Sequence, residues 1–167
     1  MKFKEIITII VIVSIFACTS ADKAAVKTDI NLIVPGIRAE GFDLGQEIRK
    51  EDYKVYESRE TNIADILGTD NFADIKFDSL IRNGNASILF LEKGVITAIA
   101  GLTIERRTTS DAVLLSRGID NFILNYGNSG LSIVKGKNHS IYIYKKSGIA
   151  VFDDNNDNTI DMYLIFR

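Results

Sequence analysis

The chain has 167 residues, a formal net charge of −2, 46% hydrophobic and 25% charged residues. That is the balance of an ordinary globular protein, long enough for one core without disulfides; with no basic excess it argues against a nucleic-acid partner. A single Cys and a single His exclude an intramolecular disulfide and a cysteine–histidine zinc centre.

In chain order, Met1 to Glu5 is short and lysine-bearing, and 6–16 is an apolar run broken only by Thr8 and Ser14. The run is too short for a bilayer, which takes about 20 apolar residues. It fits the hydrophobic region of a secretory signal. Ile15-Phe16-Ala17-Cys18 then resembles the bacterial lipobox, in which a small residue precedes the modified cysteine. The resemblance implies that residues 1–17 are a signal peptide and that Cys18 takes a diacylglycerol on its sulfur. After cleavage Cys18 would lead the mature chain, with more than one acyl chain for durable anchoring. An ordinary secretory signal beside a coincidental Cys is the alternative; the only Cys of the chain stands where the lipobox needs it. Residues 18–31, with their small and polar stretch after Cys18, read as a flexible tether. Thr19 rather than Asp after the Cys points to the outer membrane.

Residues 32–167 read as one domain. Residues 44–57 are charged and helical in character, with Leu44, Ile48, Tyr53, Val55 and Tyr56 as their larger residues. A short helix follows at 62–68, where Asn62 can accept free amide hydrogens and Gly68 can take a left-handed cap. Strand-like runs are predicted at 75–82, 86–91 and 95–104. Asn83-Gly84 is a hairpin signal, and Gly101 suggests a bulge in the third run. After a polar joint at 105–109, a helix at 116–126 carries Ile119, Phe122, Ile123 and Tyr126 on one stripe and stops at Gly127. Three more strands are predicted at 140–145, 148–153 and 159–166.

The two halves look like one pattern written twice, 32–104 and 108–167. The expectation is an α+β fold of two tandem helix-plus-three-strand repeats. They would form one antiparallel sheet of about six strands, with helices on one face. This element order, the Tyr126-Gly127 helix ending and the stretch Gly148-Ile149-Ala150-Val151-Phe152-Asp153 resemble the BamE (SmpA/OmlA) family of outer-membrane lipoproteins. In tandem form they resemble the β-lactamase-inhibitor-protein fold. The resemblance implies a non-enzymatic domain that binds other proteins through the open face of its sheet.

The most motif-like stretch is 153–161. Asp153, Asn155, Asp157, Thr159 and Asp161 fall at the alternate positions of a calcium loop. Asn158 stands at the turn glycine, and Leu164 stands where a bidentate Glu is required. Asp153, Asn155, Asp157 and Asp161 are therefore calcium candidates, set against a polar hairpin loop whose Asp and Asn bond their own backbone. His139 has no second His or Cys for a metal, and Gly-x-Ser-x-Gly, phosphate-loop and dinucleotide motifs are absent from the sequence. No catalytic residue is assigned, and no cofactor beyond the lipid is expected.

Strand alternation carries the remaining hypothesis. Ile141 and Ile143 point opposite to Tyr142 and Tyr144. Ile160, Met162, Leu164 and Phe166 oppose Asp161, Tyr163, Ile165 and Arg167. If helices cover the apolar face, Tyr142, Tyr144 and Tyr163 emerge together on the open one, and tyrosines suit interfaces. The reading is a lipid-anchored outer-membrane envelope protein, not an enzyme, that binds another protein. Its alternative is a small-ligand or calcium-binding module.

Overall fold

The computed structural model describes residues 31–83, 87–103 and 107–167. The signal, Cys18 and most of the tether lie outside the described residues, as do Gly84 of the predicted turn and the 104–106 joint. Three two-residue strands come first, β1 (Leu32–Ile33), β2 (Arg38–Ala39) and β3 (Phe42–Asp43). The main body is one eight-stranded antiparallel sheet. The chain enters it at one edge with β4 (Val55–Glu57). It then runs inward through β5 (Ser79–Asn83), β6 (Ser87–Glu92) and β7 (Val95–Leu102). After β8 (Thr108–Thr109), which pairs in parallel with β1, it restarts at the far edge with β9 (Leu131–Lys135). It comes back inward through β10 (Ser140–Tyr144) and β11 (Ile149–Asp153) to β12 (Met162–Phe166), which closes against β7.

Among the described residues, two short α-helices accompany the sheet. In α1 (Ile63–Leu67) the Asn62 side chain accepts the Asp65 amide at 2.9 Å. Gly68, at φ 67°, donates its own amide to the Ala64 carbonyl. Those are the two caps expected from sequence. The second helix, α2 (Gly118–Tyr126), buries Ile119 and Phe122 on its stripe. Among the described residues, no helix is long and apolar enough to cross a membrane.

The architecture of two helix-plus-three-strand repeats is overturned. There are eight strands in the sheet, not about six, and the helices are not on one face. Residues 44–57 are no helix: they hold a loop, a 3-10 turn at Lys50–Asp52 and the edge strand β4. Their apolar positions match a 3.6-residue period only in part, and Tyr53, Val55 and Tyr56 suit extended backbone.

The cause of the two-sided cover lies in the strands. All five positions of β11 and of β12 are buried, as are the first five of β6. A sheet apolar on both faces has to be covered on both. On the first face, Ile63, Ile66, Phe72 and Phe77 pack with Phe90, Ile141, Ile143, Phe152, Leu164 and Phe166. Phe72 meets Phe166 edge-on at 5.4 Å, and Phe77 meets Phe90 at 5.2 Å. On the second face, Ile33, Ala39, Leu44 and Ile48, together with Val113, Leu115, Ile119 and Phe122, cover Leu89, Ile99, Val151, Tyr163 and Ile165. The 31–48 segment and α2 thus occupy the face that sequence reasoning left open.

Gly101 is not a bulge. The β7–β12 register runs unbroken through Tyr163↔Gly101, and the irregularity lies between β6 and β7 at Phe90/Leu91.

Candidate functional site

The three tyrosines share the face that alternation assigned them, but they do not form one exposed patch. Tyr163 is fully buried at the centre of the sheet. Its hydroxyl donates to Glu40 Oε1, and Arg107 Nη1 meets the same oxygen at 2.9 Å. Burial, followed by the charge of Glu40, drives the Tyr163 phenol far above its ordinary range. Glu40 sits at φ 56° beside Gly41 at φ 81°, on the two-residue turn between β2 and β3. Such turns favour Asn, Asp or Gly, so the left-handed glutamate is held there by what its side chain meets. Tyr144 is also buried and donates to the Gly127 carbonyl at 2.6 Å, tying off the end of α2. Burial raises its pKa as well.

Only Tyr142 is half-exposed. It lines a recess of about 340 Å³ between α2, the β9–β10 hairpin and the 153–158 loop. Ile123 and Ile119 form its apolar side, and Asp120, Lys135, Ser140 and Asn156 its polar one. The structure therefore joins two features that sequence reasoning kept apart, one tyrosine and the acidic loop.

The carboxylates of that loop bond its own backbone. Asp153, almost fully buried, accepts the Asp157 amide at 3.1 Å through Oδ1 and the Asn158 amide at 3.0 Å through Oδ2. Asp161 accepts the Asp154 amide at 2.8 Å, and Asp157 accepts the Thr159 amide at 2.9 Å. The Thr159 hydrogen bonds hold the Asp157 carboxyl below its ordinary pKa, whereas burial pushes Asp161 above its own. Asn155 is exposed at the tip. Among the described residues, no three His, Cys, Asp or Glu side chains form a group that could hold a metal ion.

The loop also caps α2. The Ile119 amide donates to the Asn158 carbonyl and the Asp120 amide to Asn158 Oδ1, both at 3.0 Å. Arg117, at the N-cap position itself, supplies no side-chain bond. Asn158 holds φ 70° while doing this, a conformation Asn tolerates. Asn158→Ala is expected to destabilise the fold by about 1–2 kcal/mol, and Asn158→Gly by less, since glycine keeps the backbone and loses only the side-chain cap. Urea unfolding of the two variants checks the order.

His139 lies over Gly136 in the β9–β10 turn, where a Cβ on the glycine would stand 2.3 Å from the ring. Sequence reasoning missed β9 altogether. Its signal was present in the apolar run Leu131 to Val134 between Gly130 and Gly136. β9 makes an edge of the sheet and pairs only with β10 among the described residues. Ile133 on it is 44% exposed.

Comparison with protein-family models, curated proteins and solved structures finds no match for the chain.

Proposed function

We propose that this chain is a non-enzymatic, lipid-anchored protein of the bacterial outer membrane that binds another envelope protein at the β9 edge of its sheet. The anchor, and with it the envelope location, rests on the lipobox resemblance at 15–18; the helix-plus-three-strand order behind the likeness to BamE-type lipoproteins is not kept. The covered faces remove the open-sheet surface first expected. The observation that carries the binding reading is the β9 edge itself, a largely apolar strand that no described residue pairs with on its outer side, with half-exposed Tyr142 beside it.

Two measurements test this. Cells expressing the full chain are fed labelled palmitate. The native chain is expected to take up label and the Cys18→Ser variant none; label on both, or on neither, removes the anchor. The full chain is then used as bait on detergent-extracted envelope, beside an Ile133→Pro variant whose fold is checked by circular dichroism. A partner held by the native bait and lost by the variant supports the reading. Partners indifferent to Ile133 move the surface elsewhere.

A further inference from the structure

The two edges of the sheet are not alike. β4 is three residues long, with the Lys54 ammonium 5.1 Å from the Tyr56 ring centre and Glu57 at its end. Short, charged edges of this kind resist pairing with other chains. β9 is longer and has Leu131, Ile133 and Val134 among its five residues.

The hairpin fixes which backbone groups of β9 face outward. The Gly136 amide donates to the His139 carbonyl at 2.8 Å, so 136 and 139 form a hydrogen-bonded pair. In an antiparallel ladder such pairs alternate with unbonded ones. Val134↔Ile141 and Ser132↔Ile143 are then bonded, and Lys135↔Ser140, Ile133↔Tyr142 and Leu131↔Tyr144 are not. The unbonded residues of an edge strand turn their N–H and C=O groups away from the sheet. The Leu131 amide is taken by the Asn128 carbonyl. The amides of Ile133 and Lys135, and the carbonyls of Leu131, Ile133 and Lys135, remain on the outer side.

The side chains say what fits there. Ile133 and Tyr142 oppose each other on the second face. Lys135 and Lys137 are exposed and form no ion pair with any described residue. A second copy pairing antiparallel about Ile133 would set each Lys135 against Leu131 and leave both lysines without a counter-charge. An acidic segment satisfies them.

We propose that β9 accepts an extended acidic segment of a partner protein as a ninth antiparallel strand. This segment puts an apolar side chain beside Ile133 and carboxylates beside Lys135 and Lys137. The proposal rests on the protein-binding reading above and adds the partner's chemistry.

The test uses the full chain in detergent and two short acetylated peptides, Glu-Thr-Glu-Thr-Val-Thr-Val and Lys-Thr-Lys-Thr-Val-Thr-Val, whose alternate residues share one face and, run antiparallel, set the charged pair beside Lys137 and Lys135 and a valine beside Ile133. Binding is read by fluorescence anisotropy and amide hydrogen exchange. The glutamate peptide is expected to bind, to slow exchange at Ile133 and Lys135, and to outcompete the lysine peptide. Lys135→Glu/Lys137→Glu, two surface changes that leave the core intact, is expected to weaken it about tenfold, the size of two exposed ion pairs. Ile133→Pro is expected to fold, because that amide makes no bond to β10, and to lose binding. Failure of the glutamate peptide to bind, equal binding of both peptides, or protection elsewhere overturns the proposal. Protection of the same amides on concentrating the chain alone also overturns it, by assigning the edge to a second copy. If an envelope partner is captured through Ile133 while the glutamate peptide does not bind, the partner chemistry fails and the binding reading stands. A peptide that protects β9 where no Ile133-dependent partner is captured gives the reverse.

Discussion

Arg107→Met is expected to destabilise the fold by about 3–5 kcal/mol, because it takes the Arg107 cation away from a buried carboxylate. The Arg107 and Glu40 side chains are 8% and 6% exposed, and the ion pair closes at 2.9 Å. Hydration cannot replace the guanidinium at this depth, and the Tyr163 hydroxyl donates to the same carboxylate oxygen. The pair itself need not be a large net stabiliser, since two charges lost hydration to form it; the penalty comes from breaking one half. Adding Glu40→Gln to Arg107→Met is therefore expected to recover part of the loss, whereas independent sites would add. Chemical denaturation of the two single variants and the double closes the cycle. A double variant worse than the sum of the singles would show that the carboxylate is stabilised by other groups. The structural consequence of the network is placement. It pins the tip of the β2–β3 hairpin onto the centre of the sheet, and that hairpin belongs to the segment that closes the second face.

Alternation was legible and its environment was not. The sequence divides Ile141 and Ile143 from Tyr142 and Tyr144, and Met162, Leu164 and Phe166 from Tyr163 and Ile165. The structure keeps both divisions within the strands, but Ile160, which the sequence grouped with Met162, Leu164 and Phe166, precedes β12 and packs with Tyr163 on the second face. Alternation within a strand says nothing of what lies above it. The neighbours did: the apolar run in β6 and the run Ile149 to Phe152 have no polar side to give to water, which is the mark of a strand covered twice. The covering residues Ile33, Ala39, Leu44 and Ile48 lie in short strands and loops with no period to read, so their docking is a tertiary property. The Glu40–Tyr163 bond spans 123 residues and leaves no local trace. The acidic loop was legible as either a cation loop or a self-bonded turn. Its bonds to its own amides follow the second pattern, and its capping of α2 through Asn158 was visible in neither segment alone. The β9 edge, where the proposed function rests, was hidden because a five-residue strand between glycines was left without an element between the Gly127 helix end and the strand at 140.

Gly101→Ala is the second large effect. A Cβ at that position would stand 2.4 Å from the Tyr163 hydroxyl oxygen and 2.5 Å from Cζ. Neither is the end of a flexible chain, since the ring is fully buried and its hydroxyl is held by Glu40. The glycine is required by space: the Tyr163 ring lies across the bare backbone of its cross-strand partner. Overpacking of this kind destabilises by about 1–3 kcal/mol. Forcing the hydroxyl off the Glu40 carboxylate adds about 1.5–3 kcal/mol for a hydrogen bond to a charged group. At roughly 2–4 °C per kcal/mol for a chain of this size, the melting temperature is expected to fall by about 10 °C. Tyr163→Phe on the Gly101→Ala background is expected to bring no rescue, because the ring carbons still collide. Tyr163→Leu is expected to cost less there than it does alone, because the shorter side chain clears the new methyl. Thermal melts of Gly101→Ala, Tyr163→Leu and the double variant decide it. A Gly101→Ala protein within about 0.5 kcal/mol of the parent, the ordinary range for an inconsequential substitution, would mean that the sheet yields at β7–β12 and that Tyr163 is not the fixed centre described here.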